Sequence, residues 1–516
     1  MGMGRALAVA LVGLNGHVVE VEADIGQTLP NFILLGLPDA SLSEARERIR
    51  AAAHNSGIPL SRRKITVNLI PASLPKKGSA FDLAIVMAAL NAAGDVQRTA
   101  GTVFLAELGL DGRLRPVQGV LPAVLAAQAA GHEEFVVATA NMAEAQLVKG
   151  TRVRGYDCLA QVALDFDAAL PGLRLERSAA GADLRRHRDG TGGGAGESPP
   201  DLSEVAGQPV ARLALEIAAA GGHHLMMVGP PGSGKTMLAE RLPGLLPDLS
   251  DAEAMEVTAI HSLDQRGGDL KLIRRPPYER PHHSASSSAI IGGGSGIPRP
   301  GAATRAHRGV LFLDEAPEFD KRVLDALRQP LESGELVLHR AAGTAAYPAR
   351  FQLVMAANPC PCGKATGKGI HCECTPMARR RYFARLSGPL LDRVDIQLQV
   401  QKVQLAQLAR TSCGESSAQV ATRVRQARER AGARLAPWGL VHNADLTGRI
   451  LRGPLRLGGH QTAVLDRAMG SGVLSARGYD RVLRLAWTVA DLQQRDQPDS
   501  DDVGLALTLR QRGEGM

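Results

Sequence analysis

Eight consecutive residues, Gly229-Pro230-Pro231-Gly232-Ser233-Gly234-Lys235-Thr236, restrict what this chain can fold into more than any other stretch. They satisfy every fixed position of the pattern G-x-x-x-x-G-K-[ST], the phosphate-binding P-loop. The apolar run Leu225-Met226-Met227-Val228 precedes them and Met237-Leu238-Ala239-Glu240 follows, so strand, loop and helix come in the order the motif requires. Glycines let successive backbone N–H groups converge on one point, and the following helix adds its positive N-terminal end. In such a loop Lys235 reaches the β- and γ-phosphates of a nucleoside triphosphate, and the Thr236 hydroxyl ligates Mg²⁺.

A second apolar run, Val310-Leu311-Phe312-Leu313, suits a central parallel strand and ends in Asp314-Glu315. Carboxylates at that end of a strand face the crevice where open α/β sheets hold ligands. Asp314 is the candidate Mg²⁺ ligand, and Glu315 the group to orient or deprotonate the attacking water. The next strand, Phe351 to Ala357, ends in Asn358. Its amide suits a contact to water or the γ-phosphate, although a turn before Pro359 also favours asparagine. Arg393, in Leu390-Leu391-Asp392-Arg393-Val394-Asp395, and Arg477, in Ser475-Ala476-Arg477-Gly478-Tyr479, are candidates for stabilising transition-state charge. Surface salt bridging is the commoner use of a single arginine, and residue chemistry alone leaves both open.

With 516 residues the chain has room for about three domains. Residues 1–168 alternate strands and helices, including Lys64 to Leu69, Phe81 to Ala93 and Val103 to Ala106, as an α/β or α+β domain does. Residues 169–204 are rich in arginine and glycine and read as a flexible linker. Residues 205–400 form a P-loop α/β core and 401–516 a helical domain, with helices over Val420 to Ala433 and Tyr479 to Gln494. The start, Arg5 followed by Ala6 to Val12, imitates a secretory signal, but the alternation from His17 to Glu22 marks it as a strand. No apolar run approaches the roughly 18 residues of a membrane span. Cysteines are few, so a cytoplasmic protein is expected. The net charge of +8 fits a polyanionic partner, while 3% aromatics argues against base stacking as its main grip.

Taken together, the P-loop, Gly309 to Glu315, Ala357-Asn358-Pro359-Cys360-Pro361-Cys362-Gly363 and Leu390 to Asp395 resemble the ComM/YifB family, AAA+ ATPases related to the ATPase subunit of magnesium chelatase. Pro281-His282-His283-Ser284-Ala285-Ser286 and Gly292-Gly293-Gly294 belong to the same resemblance, which spans nearly the whole chain. It implies a homohexameric ring, formed with ATP and DNA, and, in the ComM branch, ATP-driven branch migration of branched or single-stranded DNA in natural transformation. It casts Asn358 as sensor 1, Arg393 as a finger acting on the neighbouring subunit, and Arg477 as sensor 2. A chelatase-type motor that remodels a protein partner during metal insertion is the alternative. Glu335 to Arg340 and Tyr347 to Ala357, joined by the turn Ala341 to Thr344, read as a hairpin feeding the sensor strand. Relatives face such a hairpin to the ring pore, where Arg340 would meet DNA phosphates. The arginine-rich helix with Arg423, Arg425, Arg428, Arg430 and Arg434 is compatible with DNA, or is a solvated face.

Cys360-Pro361-Cys362 and Cys372-Glu373-Cys374 form two C-x-C pairs whose four thiolates could surround structural Zn²⁺, with His371 as an alternative ligand. Free thiols or a redox cluster are the other readings. Cys158 and Cys413 stand alone and are expected to be buried. Pro75 to Asp82 and Gly112 to Gly119 resemble the Lon-protease-like, ribosomal-S5-type fold. Pro122 and Val124 stand where Lon carries lysines, so Ser79 lacks a base and no peptidase activity is expected.

Overall fold

The computed structural model describes residues 2–26, 29–36, 40–58, 60, 64–72, 74, 76, 78–168, 170, 172–174, 200–265, 270–294, 298–340, 343–365, 371–403 and 414–510. Most of the expected linker, Pro75, Lys77, the hairpin turn at Ala341 and Ala342, the Arg340 side chain and Cys413 lie outside the described residues.

Alternating apolar residues build a seven-stranded mixed sheet in the N-terminal part. Its order is Asn31–Leu35, Lys64–Ile70, Asn15–Gly26, Gly4–Val12, Thr102–Leu105, Glu134–Ala138, Arg152–Tyr156. The signal-like start is a strand, paired antiparallel with Asn15–Gly26 from Gly4↔Ala23 to Val12↔Asn15. The buried helix Asp82–Ala93 lies so close that a Cβ on Gly4 would stand 2.1 Å from the Ala88 carbonyl oxygen, and only glycine fits there. Cys158 is half-buried at the N-terminus of helix Leu159–Asp165, not fully buried as expected.

The second sheet is wholly parallel, in the order Tyr278–Glu279, Val310–Leu313, Gln352–Ala357, Leu225–Val228, Ile396–Gln399. The apolar runs at Leu225–Val228 and Val310–Leu313 are strands buried along their whole length, as expected of strands covered on both faces. One face carries helix Pro209–Gly221 and, beyond it, the C-terminal helices Ser417–Leu435, Gly459–Gly470, Ala476–Leu492 and Ser500–Arg510. Leu225, Met227, Phe312 and Val354 of the sheet and Val420, Val424, Leu485 and Trp487 of the helices belong to a single continuous core. The other face packs Met226, Leu311, Leu353 and Met355 against Ile290, Val323 and Leu390. The N-terminal part joins this body where helix Val120–Ala129 meets helix Asp251–Ser262, the Gly119 N–H donating to the Ser262 carbonyl at 3.0 Å.

Two expectations need correction. The hairpin Glu335–Arg340/Gly343–Pro348 is a separate two-stranded sheet, and the sensor strand starts afresh at Gln352. Pro348 has no N–H for a ladder, which ends the second hairpin strand. The arginine helix is not a free cationic face. Arg423 pairs with Glu216 and Glu415, Arg430 with Asp496 and Arg434 with Asp491, while Arg428 donates to the Ala219 carbonyl. These arginines fasten the helix to its own chain, leaving Arg425 exposed among the five.

Candidate nucleotide site

Sheet order decides the site. The strand carrying Asn358 lies between the P-loop strand and the acidic strand, with Val228 in register with Ala357 and Leu313 with Met355. Three strand ends therefore open on one crevice. Gly229 has no room for a side chain, since a Cβ there would lie 2.2 Å from the Val400 carbonyl oxygen. Gly232 and Gly234 adopt φ of 73° and 88°, the left-handed region that glycine enters freely, and the helix Lys235–Arg241 starts at once.

Lys235 is buried, and its Nζ donates to the Gly229 carbonyl at 2.7 Å, the Pro230 carbonyl at 3.0 Å and Asn358 Oδ1 at 3.3 Å. Burial pushes the ammonium below the ordinary lysine value, and the charges of Asp314 and Glu315 oppose that shift. The Thr236 hydroxyl donates to Asp314 Oδ2 at 2.9 Å. Among the described residues, Ser233 Oγ is buried with no hydrogen-bond partner, an orphaned polar group inside a loop of glycines. An orphan of this kind, one lysine and a helix start suit a polyphosphate, and the Thr236–Asp314 pair suits a hydrated Mg²⁺. Glu315 holds φ of 52°, a conformation costing about 1–3 kcal/mol for a residue with a Cβ.

Sequence reasoning missed two partners of the acidic pair. Arg280 donates to Asp314 Oδ2 at 2.9 Å and Glu240 Oε1 at 3.0 Å, with its guanidinium 5.6 Å from the Phe312 ring centre. His283 Nδ1 lies 3.2 Å from Glu315 Oε2. Both follow the edge strand Tyr278–Glu279, and their only signal in the sequence was the Pro281-His282-His283 motif.

Arg393 and Arg477 are brought together, but not to the P-loop. Arg393 is 16% exposed and paired with Glu332, while Arg477 is 81% exposed and 3.7 Å from Asp392. Arg481 bonds the Arg393 carbonyl at 3.0 Å and also holds Asp395, whose other oxygen meets His223 Nδ1 at 3.0 Å. Burial alone would raise the Asp395 carboxyl, but His223 and Arg481 hold it below the usual carboxylate range. Among the described residues, no hydrogen bond or ion pair joins Arg393 or Arg477 to Lys235, Thr236, Asp314 or Glu315.

The sulfurs of Cys360, Cys362, Cys372 and Cys374 all lie within 4.8 Å of one another, an arrangement compatible with Zn²⁺. In the N-terminal part the Ser79 hydroxyl bonds Glu107, and the buried Lys76 ammonium bonds the Pro71 and Leu74 carbonyls.

A P-loop on an interior strand of a five-stranded parallel sheet, with a fused helical region, defines an AAA+ ATPase. The family model described as magnesium chelatase, subunit ChlI, matches residues 201–408, that of subunit ChlI of Mg-chelatase residues 21–141 and that of the subunit ChlI C-terminal region residues 414–510. The chain is 50% identical over 516 residues, 99% of each partner, to an uncharacterized protein of Mycobacterium tuberculosis. It is 41% identical over 513 residues to the competence protein ComM of Haemophilus influenzae, covering 99% of this chain and 98% of that one. With YifB of Escherichia coli it shares 42% identity over 492 residues, 94% and 93% of the two chains. The chain belongs to the ComM/YifB family of magnesium-chelatase-like AAA+ ATPases.

Proposed function

We propose that this chain hydrolyses ATP within a homohexameric ring and uses the cycle to drive branch migration of DNA. The observation that supports this most is the separation of the two half-sites. Lys235, Thr236, Asp314 and Asn358 bond among themselves, while Arg393 and Arg477 sit together without touching them. A neighbouring subunit that offers its arginine pair to this P-loop would complete the charge stabilisation that phosphoryl transfer needs.

Bound ATP·Mg²⁺ would supply an electrophilic γ-phosphorus and a cation to neutralise charge on its oxygens. Backbone N–H groups of residues 232–236 and Lys235 would hold the phosphates, and Thr236 and Asp314 would hold the cation through oxygen. Glu315 would accept a proton from water, and His283, 3.2 Å away, would fix the carboxylate's direction. Asn358 would orient the water or the γ-phosphate. Cys360, Cys362, Cys372 and Cys374 provide a full donor set for structural Zn²⁺ beside that centre. DNA as the partner rests on similarity to the competence protein and on the +8 charge.

The family's kinship with magnesium chelatase favours a second reading, a motor acting on a protein partner during metal insertion. A labelled Holliday junction separates the two. ATP-dependent conversion by the wild type, absent with Lys235→Ala, is the expected result. No conversion, and no stimulation of ATP hydrolysis by DNA, would favour the chelatase-type motor.

A further inference from the structure

Beyond Asn358 two stretches carry the cysteines. Residues 359–365 hold Cys360 and Cys362, and residues 371–375 hold Cys372 and Cys374, followed by helix Pro376–Phe383 capped by Thr375. These stretches and the helix after them touch the nucleotide site on two sides. Gly363, at φ of 74°, approaches the P-loop so closely that a Cβ would stand 2.7 Å from Pro231 Cδ. Arg385 Nη1 donates to the Pro317 carbonyl at 3.0 Å and to Glu318 Oε2 at 3.2 Å, just past Glu315.

Little apolar burial holds the cysteine stretches in place, whereas Tyr382 and Leu386, near Arg385, are buried. Among the described residues from 359 to 375, Cys360 alone is buried among the hydrophobic side chains. The sulfurs supply a substitute. Cys360 Sγ lies 3.3 Å from Cys362 Sγ and 3.7 Å from Cys372 Sγ, and Cys362 to Cys372 spans 3.8 Å. Tetrahedral zinc with Zn–S of about 2.3 Å sets its sulfurs about 3.8 Å apart. Disulfide sulfurs would be about 2.05 Å apart.

Resting on the reading of these thiolates as a zinc site, we infer that Zn²⁺ here braces the nucleotide site. The metal ties the two cysteine stretches together, so that Gly363 bears on the P-loop and Arg385 on the loop after Glu315. Metal loss then weakens nucleotide binding in a chain whose phosphate-binding residues are all intact.

The test uses the full-length protein, elemental analysis and the fluorescent nucleotide mant-ATP. Wild type is expected to carry zinc at about one ion per chain. The double variant Cys372→Ser/Cys374→Ser should lose it and bind mant-ATP about tenfold more weakly, with its far-UV circular dichroism unchanged. Gly363→Ala should keep its zinc and still bind mant-ATP more weakly, because its methyl group meets Pro231. Wild type without zinc, with the thiols of all four cysteines titratable, overturns the zinc reading and the brace together. Zinc present in wild type, with mant-ATP affinity unchanged in both variants, overturns the brace alone. If the double variant aggregates, zinc removed from the wild type with a chelator decides, and an unchanged mant-ATP affinity in the zinc-free protein overturns the brace.

Discussion

Lys235, Thr236, Asp314 and Asn358 bond to one another across three adjacent strand ends, whereas Arg393 and Arg477 bond to Glu332 and Asp392. The first group is set by the sheet, because each residue sits at or just beyond the end of a strand whose register is fixed by backbone ladders. The second is set by the sheet and the helical region together, because Arg481 and Asp395 tie Arg393 to helix Ala476–Leu492. In the ring proposed above, one half would grip the nucleotide and the other would be presented to the neighbouring subunit.

The strongest test of that division mixes inactive subunits. Arg393→Ala should bind ATP but lose about 10³- to 10⁵-fold in kcat. Combining it with Lys235→Ala should restore part of the hydrolysis, since each supplies what the other lacks. A mixture as inactive as its components would mean that the arginine serves its own P-loop. Lys235→Ala alone should weaken mant-ATP binding about a hundredfold, the scale of a lost charge-assisted bond, without altering the Arg393 side. His283→Ala should lower kcat about tenfold with little change in the KM for ATP, and His283→Gln should recover part of it. An unchanged kcat would remove His283 from the catalytic half.

The smallest effect comes through acid. His224 accepts the Leu353 N–H at Nδ1, 3.0 Å away, and its carbonyl accepts the Asp395 and Ile396 N–H groups beside Arg393. Burial pushes this imidazole down from 6.5 to about 4. Between those values the unfolded chain binds a proton that the folded chain refuses, so stability falls as pH drops from about 6.5 towards 4. The urea midpoint should be lower at pH 5 than at pH 7, and His224→Gln, which keeps an acceptor, should flatten the difference. Equal midpoints in the wild type would show that His224 carries no such linkage.

The P-loop strand and the acidic strand were legible to the residue, because each is a continuous apolar run bounded by glycine or acid. Asn358 was legible as a strand end. Its place between the other two strands was not, since order in a parallel sheet is set by crossovers between segments distant in sequence. Arg280 and His283 escaped notice as chemistry for the same reason: their partners lie more than thirty residues away. The hairpin was misjudged at Pro348, where a local pattern of strand formers continued across a residue that cannot continue a ladder. The arginine helix misled in the opposite direction. Charge was visible, but Glu216, Asp491 and Asp496, which engage it, could not be placed by pattern.

The continuous core beneath the parallel sheet also limits how the molecule can be dissected. A fragment ending at residue 400 would uncover the outer side of helix Pro209–Gly221 and the edge strand Ile396–Gln399 by removing Val420, Val424, Leu485 and Trp487 from the core they share. Each apolar side chain there costs about 1.5–3 kcal/mol when uncovered, so an excised nucleotide-binding half would aggregate instead of serving as a minimal enzyme. A piece from about residue 200 through the last helix, Ser500–Arg510, keeps this core covered, although it uncovers Met255 and Ala259, which pack against the N-terminal part.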